Sequence, residues 1–268
     1  MMKPKPDAQR KIDVHAHYLP PGYADEMRKA GMTQPDGMPD YPQWSPQLAL
    51  EKYDEFGIET AILDVLHADG IGLKTNALGI YLGDPRFDPI FQELNRRKAT
   101  VFIHPTSPTC WQACAIGYPR PLIEFPFDTA RAVSNLIFSG TIERCPNLRI
   151  IVSHNGGVVP FLADRITKIG NQLKLNQPGA QDAISCMRRL YYDTAMAGSK
   201  YSLSSLLQLT DVSHIIYGSD WPWYPEAGAQ MTNQDLEAST LLNDQQRRAI
   251  YRENALSFLP GVISRAKK

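Results

Sequence analysis

The pattern of hydrophobic and polar positions along the chain predicts an α/β protein with a parallel sheet. Seven short apolar runs, bounded by glycine, proline or asparagine, are typical of strands that are buried on both faces. Segments with helical periodicity lie between most of them, and this alternation is typical of parallel sheets. The predicted strands are residues 11–17, 58–65, 70–76, 100–105, 148–157, 190–196 and 213–220.

The predicted helices have recognisable ends. Asp128 is available as a first-turn acid or cap of its helix, and Asn243 or Asp244 is the expected cap of the last helix. The helices that we predict are residues 45–57, 86–98, 127–146, 199–210 and 243–259.

Composition narrows the class of protein. A chain of 268 residues that is 43% hydrophobic can bury a substantial core, so we expect one domain over residues 1–268. The 28 basic and 28 acidic residues balance, which gives no electrostatic case for binding nucleic acid or a membrane surface. The apolar runs are too short to span a bilayer, and no apolar segment of a secretory signal follows the N-terminus. The four scattered cysteines are expected to be free thiols in a cytoplasmic protein.

Polar residues cluster at the carboxyl ends of the predicted strands. His15 and His17 lie one residue apart, and alternate strand positions face the same side, so the pair is suited to one metal ion. His104, His154 and Asp220 end three later strands. Strand ends converge at one mouth in a (β/α)8 barrel, whereas a doubly wound sheet puts its site at a switch point. Contributions from four strands favour the barrel.

Imidazoles together with one carboxylate suit zinc, with manganese or iron as alternatives. Each residue alone also has an ordinary interpretation, because a histidine can hydrogen-bond a loop and the sequence GSD can form a turn. The remaining two histidines are weaker candidates: His67 is expected on a surface or a helix, and His214 is expected to be structural.

The junction between two predicted strands is too short. Only four residues, LHAD, separate residues 58–65 from residues 70–76, whereas a parallel crossover takes about a dozen. Either the first segment is partly helical or a βα unit is absent. We expect residues 70–76 to form a strand, and residues 58–70 to end as a helix or to be helical throughout.

Several longer motifs resemble those of a known family. They are IDVHAHYLPP, TNALGIYLGDPRFDPIFQELNRRKATVFIHPTSP, FPFDTARA, IVSHNGGVVPFLADRI, YYDTAMAG and IIYGSDWPW. Together they resemble the amidohydrolase-related metal-dependent decarboxylases, which include aminocarboxymuconate-semialdehyde decarboxylase and γ-resorcylate decarboxylase, and most of all the 6-methylsalicylate decarboxylases. The resemblance implies a TIM-type (β/α)8 barrel, here lacking about one βα unit near residues 64–70.

The resemblance also implies roles for individual residues. His15, His17, His104 and Asp220 match the metal ligands of the family, with Zn²⁺ as the expected ion and Mn²⁺ as the alternative. His154 matches the active-site histidine that works beside the metal. The resemblance further implies a homodimer or a higher homo-oligomer.

The expected reaction is non-oxidative decarboxylation of a 2-hydroxybenzoate such as 6-methylsalicylate, with release of CO2. Ring protonation precedes the loss of CO2, and Asp220 is the candidate acid, while His154 is placed to hydrogen-bond the phenolate or a bound water. An apolar wall for the flat ring is expected from Trp221, Trp223, Tyr81 and Phe127.

Two other interpretations stay open from the sequence. The same groups could activate water against a lactone or an amide. The shortened barrel could also be inactive, although every predicted metal ligand is retained.

Overall fold

A computed structural model describes residues 10–63, 70–177 and 180–259. The chain divides into two compact units, and the prediction of a single domain stays a prediction. The first unit comprises the described residues of Met1–Ala68, Asp193–Ser204 and Ile215–Lys268, and the second comprises those of Asp69–Tyr192 and Ser205–His214.

Short strands alternate with helices along the chain. The strands are β1 (Lys11–Ala16), β2 (Ile58–Leu63), β3 (Gly70–Lys74), β4 (Asn76–Ala77), β5 (Ile80–Tyr81), β6 (Thr100–His104), β7 (Arg149–Val152), β8 (Tyr191–Asp193) and β9 (Ile215–Ile216).

The α-helices are α1 (Tyr23–Lys29), α2 (Pro46–Phe56), α3 (Asp88–Arg96), α4 (Trp111–Cys114), α5 (Glu124–Phe138), α6 (Thr141–Arg144), α7 (Val159–Gln172), α8 (Ala183–Arg188), α9 (Lys200–Leu209), α10 (Glu226–Ala238), α11 (Asp244–Arg248) and α12 (Asn254–Phe258). A π-helical turn, Ala249–Glu253, joins the last two. None of the helices within the described ranges has the length and apolar character needed to cross a membrane.

The first unit is built around β1, whose six residues are all buried. β1 pairs in parallel with β2, from Lys11 opposite Ile58 to Ala16 opposite Leu63. The segment after β9 runs along β1 as well, because the Val14 amide donates to the Tyr217 carbonyl at 3.0 Å. Two stretches of chain that are far apart in sequence therefore end beside each other.

The second unit contains a parallel sheet in the strand order β3, β6, β7, β8. Lys74 at the end of β3 is opposite His104 at the end of β6, and Ile103 is opposite Val152 of β7. The centre of the sheet is shielded from solvent, since Val101, Ile103 and Val152 have no exposed surface. The carboxyl ends of these strands thus lie at one edge.

All seven predicted strands form, although the last one is reduced to Ile215–Ile216. The prediction that residues 58–70 are helical throughout is wrong, because Ile58–Leu63 is a strand that pairs with β1. The predicted helical ending and His67 lie outside the described residues. Within the described ranges no ladder joins β2 to β3.

One helix end follows the sequence expectation and one does not. Asn243 caps α11 with a full capping box, as predicted. The cap prediction for Asp128 is wrong, because α5 begins at Glu124 and the buried Asp128 carboxylate instead accepts hydrogen bonds from the side chains of Thr75, Asn76 and Tyr81. This carboxylate ties the β4–β5 hairpin to α5.

We expect Asp128→Asn to lower the free energy of unfolding by about 1–3 kcal/mol, since the amide leaves a buried hydroxyl without an acceptor. Urea unfolding followed by circular dichroism measures the change. Asp164→Asn is the control, because this carboxylate is 74% exposed and pairs with a solvated Lys168. Equal stability of both variants would show that the Asp128 network contributes nothing.

Candidate metal centre

Three of the predicted metal ligands meet in the first unit. The His15 Nε2 atom lies 3.2 Å from the His17 Nε2 atom, and the Asp220 Oδ1 atom lies 3.0 Å from the former and 2.9 Å from the latter. These three side chains belong to a group that can hold a metal ion. The residues of this unit that the sequence singles out as ligands are therefore neighbours in the fold.

The backbone explains why these side chains meet. His15 lies on β1 and His17 directly follows it, so alternation directs both to one side. The Asp220 amide donates to the His15 carbonyl at 2.8 Å, and the His17 amide donates to the Trp221 carbonyl at 2.9 Å. Asp220 has a φ of 60°, in the left-handed region that residues other than glycine adopt rarely, although aspartate does so more often than most.

His15 lies between two buried carboxylates. Its Nδ1 atom is 2.9 Å from Asp193 Oδ2, and its Nε2 atom is 3.0 Å from Asp220 Oδ1. Burial lowers the pKa of His15, but the carboxylates of Asp220 and Asp193 outweigh this effect and raise it to about 10. Because a neutral imidazole carries one proton, His15 cannot donate to both carboxylates unless it is protonated, and a cation beside Nε2 would serve the same purpose.

A divalent cation fits the donor set. Ligand atoms about 2 Å from a tetrahedral ion lie about 3.3 Å from each other, close to the three distances between His15, His17 and Asp220. Two imidazoles and one carboxylate are also the chemistry that zinc and manganese accept. The cation would provide the charge that the two carboxylates require.

Asp193 is a site residue that sequence analysis missed. Its carboxylate accepts from His15 Nδ1, fixes the tautomer and leaves Nε2 facing the other ligands, which is the usual arrangement behind a metal-binding histidine. The available signal was an aspartate that ends the buried strand β8 in the motif YYDTA.

The second unit contains the other two predicted histidines. His104 ends β6, and its ring centroid lies 5.4 Å from that of His154, which follows β7. The Pro105 carbonyl is 2.8 Å from His104 Nδ1, closer than Lys74 Nζ at 3.3 Å, so we assign the proton to Nδ1 and the lone pair to Nε2. His154 has a left-handed φ of 56°, as Asp220 does. Both histidines therefore lie at the carboxyl edge of this unit's sheet.

The aromatic side chains that we predicted to bind substrate differ in exposure. Trp221 is 4% exposed, and its ring packs edge-on against Tyr53. Tyr81 is half-buried and donates to Asp128, whereas Phe127 is 44% exposed. Their role in substrate binding stays a prediction.

His214, the last histidine among the described residues, and the cysteines fit the expectations. His214 stacks on Tyr191 and contacts the Leu190 carbonyl through Nδ1 at 3.0 Å, which are structural contacts. The cysteines are free thiols, two of them exposed and two buried: Cys110, Cys114, Cys145 and Cys186.

Imidazole and carboxylate groups at the carboxyl ends of parallel strands are typical of metal-binding enzymes of the α/β class. The chain belongs to the amidohydrolase family, whose sequence model matches residues 58–261. The predicted superfamily and its fold class are confirmed.

Two relatives are decarboxylases. Decarboxylase yanB of Aspergillus niger is 30% identical over 324 aligned positions, which cover 93% of this chain and 87% of that protein. The 6-methylsalicylic acid decarboxylase of Penicillium expansum is 33% identical, with 75% of this chain and 64% of that protein covered. This chain thus spans less than two thirds of the Penicillium protein. The predicted assignment to the carboxy-lyases of the superfamily agrees with both relatives and is confirmed.

Solved structures share the fold. An amidohydrolase II crystal structure matches with a TM-score of 0.85 and 27% identity, covering 93% of this chain and 99% of that one. The 5-carboxyvanillate decarboxylase of Novosphingobium aromaticivorans, complexed with manganese and 4-hydroxy-3-methoxy-5-nitrobenzoic acid, matches with a TM-score of 0.76 and 16% identity, covering 94% and 96% of the two chains. The second likeness shows the fold alone.

The alignment with the Aspergillus protein is longer than the whole chain, 324 positions against 268 residues. That relative therefore has internal residues without a counterpart here. This agrees with the predicted absence of about one βα unit.

We expect Asp193→Asn to weaken divalent metal binding by about 10- to 100-fold, because the amide no longer holds His15 in the tautomer that a metal requires. Titration of the metal-free protein with Mn²⁺, followed by electron paramagnetic resonance, measures the affinity. Asp211→Asn is the control, since its carboxylate accepts from the exposed Ser213 amide. Unchanged affinity in Asp193→Asn would remove this carboxylate from the centre.

Proposed function

We propose that the chain catalyses metal-dependent, non-oxidative decarboxylation of a small aromatic acid with a hydroxyl group next to its carboxylate, as in 6-methylsalicylate. The observation that carries the proposal is the cluster of His15, His17 and Asp220 with Asp193 behind it. The names of both relatives support the reaction, and the name of the Penicillium protein supports the aromatic substrate class.

We propose His104 as the fourth protein ligand. Its support is the proton on Nδ1, which leaves Nε2 as the nitrogen that can bind a metal, and its place at the carboxyl end of β6. Zinc is the ion that we predict, and manganese is the alternative found in the Novosphingobium structure. When bound, the ion supplies a Lewis acid that can hold a phenolic oxygen and a carboxylate together.

Proton transfer in this proposal belongs to Asp220. The ring carbon that bears the carboxylate must gain a proton before the bond to CO2 breaks, and a carboxylic acid at the site can deliver it. In this proposal the Asp220 carboxylate takes up the proton of the substrate's phenolic hydroxyl and passes it to the ring carbon. Because Asp220 is 5% exposed, that proton would be shielded from exchange with bulk water.

We assign His154 to the orientation of the substrate's phenolic oxygen. Its support is its place beside His104 at the same sheet edge and its left-handed backbone.

Trp221, Tyr81 and Phe127 remain the proposed contacts of the aromatic ring. Apolar contacts with the ring would exclude water from a carboxylate that has to leave as neutral CO2. The homodimer and the cytoplasmic location that we expect from the sequence remain predictions.

The alternatives from the sequence have less support. Both relatives described above are decarboxylases, so hydrolysis of a lactone or an amide is not favoured. An inactive chain is less consistent with a ligand cluster whose contacts are all formed.

We expect His154→Ala to retain its metal and to lose about 10²- to 10⁴-fold in turnover, the usual range for a group of this kind. Release of ¹³CO2 from a panel of carboxyl-labelled 2-hydroxybenzoates measures turnover, and elemental analysis measures the metal. His214→Ala is the matched control, because this imidazole makes structural contacts with Leu190 and Tyr191. Full turnover in His154→Ala would exclude the proposed role, and a ring-opened acid in place of CO2 would favour hydrolysis.

We also expect chelation of the metal to abolish CO2 release and to lower the free energy of unfolding. An ion present at 100 times its dissociation constant stabilises the folded state by about 2.7 kcal/mol. Calorimetry measures the stability and CO2 release measures the activity. Both are recorded before dialysis against a chelator, after it, and after return of Mn²⁺ or Zn²⁺. Turnover that persists after complete removal of metal would contradict the proposed mechanism.

A further inference from the structure

We propose that Asp13 and Ser219 are positioning residues that fix the distance between the His15–His17 pair and Asp220 before a metal binds. The inference rests on the metal centre in the proposed function, and it goes beyond the predicted ligands. Neither residue can serve as a ligand in this arrangement, because the hydrogen bonds of both side chains are directed to the backbone and to each other.

One carboxylate bridges the two chain segments that carry the ligands. Asp13 Oδ1 accepts from the His15 amide at 2.9 Å and from the Ser219 amide at 3.1 Å. Asp13 Oδ2 accepts from the Ser219 hydroxyl at 2.5 Å. The Ser219 oxygen in turn accepts from the Trp221 amide at 3.1 Å. We call these four hydrogen bonds the Asp13–Ser219 bracket.

The bracket is rigid because it is buried. Asp13 has no exposed surface and Ser219 is 1% exposed. A buried carboxylate without hydrogen bonds is strongly unfavourable, so any displacement of one segment relative to the other breaks bonds that water cannot replace. The amides that it holds belong to His15, itself a ligand, and to the neighbours on both sides of Asp220.

Gly218 shows how closely the two segments approach. A Cβ atom at this position would lie 2.8 Å from the His15 Cβ and 3.1 Å from the Asp193 Cβ, too close for a side chain. Three consecutive residues therefore contribute differently to the centre: the glycine permits the close approach, Ser219 joins the bracket, and Asp220 is a ligand. A turn that only connects two elements would require neither the close approach at Gly218 nor the hydrogen bonds of Ser219 nor a ligand at Asp220.

Every contact of the bracket lies within the first unit. None of its hydrogen bonds involves residues 58–76, where the chain is short for a complete barrel. The bracket thus adds to the pairing of β1 with β2, which runs from Lys11 to Ala16.

The test compares Mn²⁺ affinity among Ser219→Ala, Asp13→Asn and the double variant of the full chain. Ser219→Ala removes one hydroxyl, and Asp13→Asn keeps the shape and one carbonyl oxygen. Ser202→Ala is the matched control, because it removes a hydroxyl that donates to the Ala197 carbonyl at 2.6 Å in the same unit, away from the ligands. Electron paramagnetic resonance gives the affinity, the visible spectrum of the Co²⁺ form gives the ligand geometry, and urea unfolding gives the stability.

We expect each single bracket variant to bind Mn²⁺ about 10- to 100-fold more weakly, the usual loss when an outer contact of a metal ligand is removed. The Co²⁺ spectrum should shift, and the double variant should lose less than the product of the two single losses because both share one hydrogen bond. Ser202→Ala should lose stability but keep the affinity and the spectrum of the parent.

Two results would overturn the inference, since removed outer contacts usually cost tenfold or more in affinity. One is an Mn²⁺ affinity within about twofold of the parent in both Ser219→Ala and Asp13→Asn. The other is an equal loss of affinity in Ser202→Ala. A parent protein that binds Mn²⁺ but releases no CO2 from any hydroxybenzoate would overturn the proposed function, while weaker binding by the bracket variants would still support the bracket. A parent protein that binds no divalent ion would overturn both.

Discussion

The central interaction of this structure is the placement of one imidazole between two buried carboxylates. His15 faces Asp193 through one ring nitrogen and Asp220 through the other, and a neutral ring can donate to only one of them. A positive charge at this point, on the ring or on a cation beside Nε2, would satisfy both carboxylates. A metal ion does so better than a second proton, because His17 presents its own nitrogen to the same point.

The fold holds the ligand side chains of this site in defined positions. Parallel strands end at the same edge, so residues that directly follow them come together with little further adjustment. Within the first unit, β1 and the segment after β9 are joined by backbone hydrogen bonds and by the Asp13–Ser219 bracket. The second unit presents His104 and His154 at the carboxyl edge of its own sheet.

The sequence predicts the strands and the ligand residues because both depend on local signals. An H-x-H pair on an apolar run, or a histidine at a strand end, can be recognised from a few neighbouring residues. The roles of Asp193 and Asp13 could not be predicted in this way, since their partners lie 178 and 206 residues away along the chain. The helix-cap prediction for Asp128 is wrong for the same reason. A cap is predicted from neighbouring residues, whereas the donors to the Asp128 carboxylate lie on a hairpin that is distant in sequence. The segment after Gly57 was ambiguous between strand and helix, and its pairing with β1 decided it.

The most direct test of the account is a crystal structure of the chain grown with Mn²⁺, with anomalous diffraction recorded at the manganese edge. We predict one anomalous peak about 2.0–2.3 Å from His15 Nε2, His17 Nε2 and Asp220 Oδ1, with Asp193 still bonded to His15 Nδ1. The account would be contradicted if no anomalous peak lies at this point and His15 keeps its direct contacts to both carboxylates.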